Sequence, residues 1–128
     1  MVADAPGVET KSPSDLTMVI AYVRPARAPE VASVLRRFGV SGWCEAPVVG
    51  HGAAAGGHGI DHLRFEALVA AEHAPELARL VGDAAHTGVD GDGLVLCTPV
   101  ISAERISNLA VGKVALRRRL KRSGDRRA

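Results

Sequence analysis

His86-Thr87-Gly88-Val89-Asp90-Gly91-Asp92-Gly93, running on into Leu94-Val95-Leu96-Cys97, is the stretch on which the reading of this chain turns. Its three glycines let the backbone bend tightly and come close to a ligand, because no Cβ intervenes. A turn of this kind leading into a strand can aim successive N–H groups at an anion, usually a phosphate. A plain helix-to-strand connection accounts for the same residues. Either way, a helix precedes His86 and a strand follows Gly93.

Working outward, Pro75 opens that helix, and Leu77, Leu80, Val81 and Ala84 form its apolar face. The strand runs from Leu94 to Val100, and Glu104 to Ser107 is read as one short helical turn. At the other end, Leu16 to Val23 is a nearly continuous apolar run, as in a buried strand. Pro29 and Glu30 suit a helix first turn; Val31, Val34, Leu35 and Phe38 then share one face, and Gly39 ends the helix. Trp43 to Val49 reads as a second strand, His51 to Gly59 as a loop, and Leu63 to Val69 as a third strand. The order βαββαβ predicts an α+β, ferredoxin-like fold: a four-stranded antiparallel sheet with both helices on one face. The second and fourth strands then form opposite edges, which keeps Cys44 and Cys97 apart as free thiols. The first and third strands are apolar on both faces, so self-association is the economical way to cover the open one. Trp43 is expected at such a contact.

Composition sets the bounds. A chain of 128 residues is one domain by size, and its apolar share of 47% with only 3% aromatics makes a core of Ala, Val and Leu. The expected organisation is a flexible leader over residues 1–15, a domain over 16–113 with its long loop at about 50–62, and a basic tail over 114–128. No apolar run is long enough to span a bilayer, and the N-terminus lacks the pattern of a signal peptide, which predicts a cytoplasmic protein. The net charge is +2, but seven basic residues and one acid between Leu116 and Ala128 put +6 on the tail and leave −4 on the rest. Such a tail suits an acidic partner or plain solvation; nucleic acid is the weaker reading. No Ser or Cys nucleophile has a base placed beside it, so an enzyme is not expected.

The chain resembles the PII signalling family from about Met18 to Gly112. The resemblance rests on Arg24-Pro25 after the first strand, Gly39-Val40-Ser41-Gly42 before the second, and Gly50-His51-Gly52 at the mouth of the loop. Its strongest part is Thr87-Gly88-Val89-Asp90-Gly91-Asp92-Gly93, followed by Pro99-Val100 and Arg105-Ile106. What the resemblance implies is a homotrimer that binds adenine nucleotide between subunits. It also implies a non-enzymatic sensor that signals to a target protein through a mobile loop, the T-loop. The nucleotide-binding residues it implies are Cys44, Gly50, His51, Gly52, Leu68, Thr87, Gly88, Gly91, Asp92, Gly93 and Arg105. Gly50, Gly52 and the turn Gly91-Asp92-Gly93 would flank the phosphates. Arg105 would supply charge from across the subunit boundary, Leu68 would offer backbone groups to the adenine, and Cys44 would touch the base.

The departures are as informative. Leu94, Ser107 and Ala53 stand where the family has cations. A triphosphate loses more by this than a diphosphate, so ADP or AMP is expected over ATP. The loop is shorter than in the nitrogen regulators and lacks their modified tyrosine; Tyr22 lies in the first strand. His62 and Ala54 stand near the residues used for 2-oxoglutarate. The pattern is similar to a short-T-loop branch that includes the carboxysome-associated PII-like proteins, which makes bicarbonate a candidate second ligand. The alternative is a metal- or partner-binding trimer of the cation-tolerance type without nucleotide sensing. It rests on His51, His58 and His62, although their spacing matches no established metal motif.

Overall fold

The computed structural model describes residues 13–52 and 58–116. The chain forms β1 (Leu16–Val23), α1 (Ala28–Phe38), β2 (Cys44–Gly50), β3 (Ile60–Ala70), α2 (Ala74–Ala85) and β4 (Gly93–Val100), with short 3-10 turns at Pro25–Arg27, Ala71–His73 and Gly112–Leu116. The strands make one four-stranded sheet in the order β2-β3-β1-β4, and every neighbouring pair is antiparallel. This is the ferredoxin-like arrangement expected from the element order.

Side chains alternate across a strand, so each strand feeds two faces. Val19, Ala21 and Val23 of β1 and Phe65, Ala67 and Val69 of β3 meet Val31, Val34 and Leu35 of α1 and Leu77 and Val81 of α2 in the core. Small residues at Ala21, Ala67, Ala74 and Ala85 let the helices settle close to the sheet without aromatic bulk. Both helices carry proline and an acid in the first turn, Pro29 with Glu30 and Pro75 with Glu76. Gly39 closes α1 in the left-handed region at φ 90°, where a side chain is strained, and its N–H reaches back to Arg36 and Leu35. Trp43 packs against the edge of this core, and its indole N–H donates to Glu45 Oε2 at 3.0 Å.

Among the described residues, no helix covers the other face of the sheet. Met18, Ile20 and Tyr22 lie there beside Leu94 and Leu96, which pair with Tyr22 and Ile20. Leu94 is 55% exposed, and beyond β4 the side chain of Ile106 is 91% exposed. Cys44 and Cys97 sit on opposite edge strands and are free. Burial pushes the Cys97 thiol upward from its ordinary range.

Beyond one-residue differences at the ends of β2, β3 and β4, three features stand apart from the sequence expectation. β3 starts at Ile60 rather than Leu63, because Gly50 pairs with Ile60 and the ladder runs into the loop. Glu104 to Ser107 is not a helical turn: Glu104 bridges to Val111, and Arg105 N–H donates to Ala110 O at 2.7 Å. Asn108 explains this, since its side-chain oxygen takes the Ala110 N–H at 2.9 Å and favours a reversal. The end of the expected leader is tied down, with Ser14 Oγ donating to Val100 O and Asp15 O accepting from Ala71 N. The rest of that leader, the middle of the loop and the basic tail beyond Leu116 lie outside the described residues. No helix among the described residues is long and apolar enough to cross a membrane.

Leu77 is fully buried at the centre of the core. Leu77→Ala is expected to lower stability by about 2–5 kcal/mol, the usual cost of such a truncation, read as a lower urea midpoint with an unchanged m-value.

Candidate functional site

Two local structures meet at the end of the sheet from which the long loop leaves. One is the mouth of that loop, where Gly50 of β2 faces Ile60 of β3. The other is the turn from α2 into β4. Between them lies an open cleft of about 630 Å³, walled by Gly50, His51 and Gly52 on one side and by Gly91, Asp92 and Gly93 on the other. Tyr22, Val48, Ile60 and Leu94 give it an apolar floor, and His62 lines it too. None of the described residues lining it is lysine or arginine.

The turn is built around one carboxylate. Asp92 accepts the backbone N–H groups of Thr87 at 2.8 Å and Gly88 at 3.0 Å, and the Thr87 hydroxyl as well. The Thr87 hydroxyl and amide, with the Gly88 amide and the nearby Arg24 charge, hold the Asp92 carboxyl down at about 2. Arg24 Nε stands 3.4 Å from Asp92, and Arg24 Nη2 donates to Asp90 O at 2.6 Å. The expectation that this turn aims its amides at an external anion is therefore revised for Thr87 and Gly88. Their N–H groups serve the chain's own Asp92.

Gly91 and Gly93 in the turn sit in the left-handed region, where a side chain is strained, and at Gly93 a side chain would also run into backbone. A Cβ on Gly91 (φ 90°) would meet Arg24 Nη2 at 2.9 Å, and one on Gly93 (φ 112°) would fall 1.8 Å from the Tyr22 carbonyl oxygen. Gly93 can thus pair with Val23 only because it has no side chain.

The remaining expected residues lie elsewhere. Leu68 and Arg105 line a separate cavity of about 300 Å³ with Ser41, Gly42, Ala115 and Leu116. There Arg105 Nε donates to Ala115 O at 2.6 Å, and Ser41 Oγ donates to Leu116 O at 3.3 Å. Cys44 is exposed and pairs with Glu66, lining neither cavity. His62 and Leu68 are six residues apart on one strand, roughly 20 Å at the strand rise. One chain alone therefore does not bring the two groups onto one small ligand.

Sequence reasoning left Arg24 and His62 off the site. Arg24 comes to the turn because it follows directly on Val23, the residue that pairs with Gly93. The His62 ring is 7% exposed, and both its nitrogens face carbonyls, Nδ1 to Ile60 O at 3.0 Å and Nε2 to Gly91 O at 2.8 Å. That occupation argues against His62 as a metal ligand alongside His51 and His58, which are exposed. Among the described residues, no three His, Cys, Asp or Glu side chains cluster as a metal ion would need.

Comparison with known proteins places this geometry in context. A family model described as Nitrogen regulatory protein P-II matches residues 16–109. The Nitrogen regulatory protein P-II of Cyanidium caldarium is 34% identical over 97 residues, covering 67% of this chain and 86% of that protein. The crystal structure of Arabidopsis thaliana PII bound to citrate superimposes with a TM-score of 0.70 at 26% identity, over 79% of this chain and 92% of that chain.

The Asp92 carboxyl titrates below its ordinary 3.8, at about 2, so its stabilising effect is complete above about 4 and is lost as pH falls through 2. The amide resonances of Thr87 and Gly88 are expected to shift over that acid window in the native chain. In Asp92→Asn they are expected to show no such titration.

Proposed function

The chain belongs to the nitrogen regulatory protein P-II family, and from that membership we propose that it is a non-enzymatic sensor of adenine nucleotide. In this reading a nucleotide seats in the cleft between Gly50–Gly52 and Gly91–Gly93, and its binding is reported to a target protein through the loop that starts at His51. One observation carries the proposal: the cleft lies at the root of that loop, so an occupant touches the residues from which the loop departs. Ordering a glycine-rich loop costs conformational entropy, and ligand contacts offset that cost only in the ordered state.

The proposed assembly is a homotrimer with the ligand between subunits. Two features support it. The sheet face without helices displays Ile20, Leu94 and Leu96, and the segment beyond it displays Ile101, Ile106 and Leu109. Arg105 and Leu68 are also too far from the glycine cleft to serve it within one chain, so a neighbouring copy would bring them there. The Arabidopsis relative is bound to citrate, a small polyanion, and in the assembly proposed here the Arg105 guanidinium of a neighbouring copy would supply the charge for a phosphate.

ADP or AMP is proposed over ATP because the described lining of the cleft holds acids at Asp90 and Asp92 and no lysine or arginine; bicarbonate as a second ligand rests on the resemblance to the short-T-loop branch. The place of action proposed is the cytoplasm. The competing metal-binding reading is disfavoured by His62, whose two nitrogens are already committed to backbone oxygens.

Titration calorimetry with AMP, ADP and ATP, with and without bicarbonate, tests this. Tighter binding of AMP or ADP than of ATP is expected. Heat from none of the three would reject the sensor reading, as would a monomer in sedimentation equilibrium. Arg105→Ala is expected to weaken ADP by roughly tenfold, the order of one charge-assisted contact, while leaving the circular dichroism spectrum unchanged.

A further inference from the structure

His62 stands in an arrangement that a neutral imidazole does not satisfy. Its Nδ1 lies 3.0 Å from Ile60 O and its Nε2 lies 2.8 Å from Gly91 O. A neutral ring has one N–H and one lone pair, so either tautomer turns a lone pair toward a carbonyl oxygen. Only the imidazolium donates at both nitrogens. The fully bonded state of this contact therefore carries a proton and a positive charge.

The two carbonyls belong to different segments. Ile60 opens β3 at the foot of the long loop, and Gly91 lies in the turn into β4. A protonated ring ties the loop's foot to the turn and places a cation in a cleft wall that has no lysine or arginine among its described residues. Gly50 makes room for it: a Cβ there would meet Nδ1 at 3.2 Å. The charged and titratable groups around the ring come from every adjoining element. The turn supplies Asp90 and Asp92, the end of β1 supplies Tyr22 and Arg24, and the loop mouth supplies His51; on β3 itself Arg64 shares the ring's face, while the neighbouring Asp61 alternates to the other. Of the two acids in the turn, the Asp92 carboxylate pairs with Arg24, while Arg24 reaches Asp90 only at its backbone carbonyl.

We propose that His62 is a positioning residue whose protonation closes the clamp between loop foot and turn, so that an anion in the cleft binds together with a proton. The inference rests on the sensor reading for the identity of that anion, the phosphates of an adenine nucleotide. Its consequence is that the anion binds more tightly when His62 carries the second ring proton than when it does not.

Two measurements on the full chain test it. The first is the ring ¹⁵N spectrum of the free protein from about pH 8 to about pH 5. Protonation of both His62 nitrogens, with the amides of Gly91 and Gly50 shifting in step, is expected; a ring that stays neutral, or one that titrates without moving those amides, overturns the proposal. The second is ADP calorimetry at about pH 6 and about pH 8 on the native chain and on His62→Gln. Because ADP's own titration is common to both proteins, only the difference between them is read. The native chain is expected to gain roughly tenfold over the variant in its pH dependence, the order of one unit charge several ångströms from an anion. Equal pH dependence overturns the proposal. Absence of ADP heat from the native chain at both pH values would instead reject the sensor reading, leaving the clamp to be decided by the ring spectrum, which also decides it should His62→Gln fail to fold.

Discussion

Asp92 holds together the part of this molecule where chemistry can occur. A single carboxylate gathers the amides of Thr87 and Gly88, the Thr87 hydroxyl and the Arg24 guanidinium. That gathering folds the connection after α2 back on itself and delivers β4 to the edge of β1. Charge-assisted hydrogen bonds of this kind are about twice as strong as neutral ones, which suits an exposed turn with little apolar packing of its own. The side chain that resembles a ligand-binding acid is thus mainly an architectural one.

The site that results is divided. The glycine cleft sits at one end of β3, and the Leu68 and Arg105 cavity lies toward the other, already touched by the carbonyls of Ala115 and Leu116. Between the two runs a sheet face that lacks helices and is apolar at Met18, Ile20, Leu94 and Leu96. The proposed symmetric assembly would cover that face and bring one copy's arginine to another copy's cleft.

Much of the fold was legible in the sequence because local signals agreed. Proline with an acid marks both helix starts, a glycine marks the end of α1, and the spacing of Val31, Val34 and Leu35 matches the helix face that is buried. The early start of β3 was hidden because Ile60-Asp61-His62 pairs an exposed acid with a buried histidine, and a histidine does not read as an inward strand residue. The hairpin at Glu104 and Val111 was hidden because its reversal depends on the Asn108 side chain. For the site, the glycine residues were found, but the direction of the Thr87 and Gly88 amides was not. Nothing in a linear string says that an aspartate a few positions on will turn back to meet them. The separation of Leu68 and Arg105 from the glycines follows from strand register, which only the assembled sheet reveals.

The missing side chain at Gly93 has a consequence for how the sheet finds its alignment. β1 is paired on both sides, and it is greasy on both: Val19, Ala21 and Val23 look one way, Met18, Ile20 and Tyr22 the other. Sliding β4 along β1 by one position would carry Leu94 and Leu96 to the core face in place of Val95 and Cys97, so water repulsion polices the error only weakly. The Tyr22 oxygen does so instead, because it sits where only a residue lacking Cβ fits. Asp92 or Leu94 brought to that spot would collide, and the edge strand has one notch in which it seats.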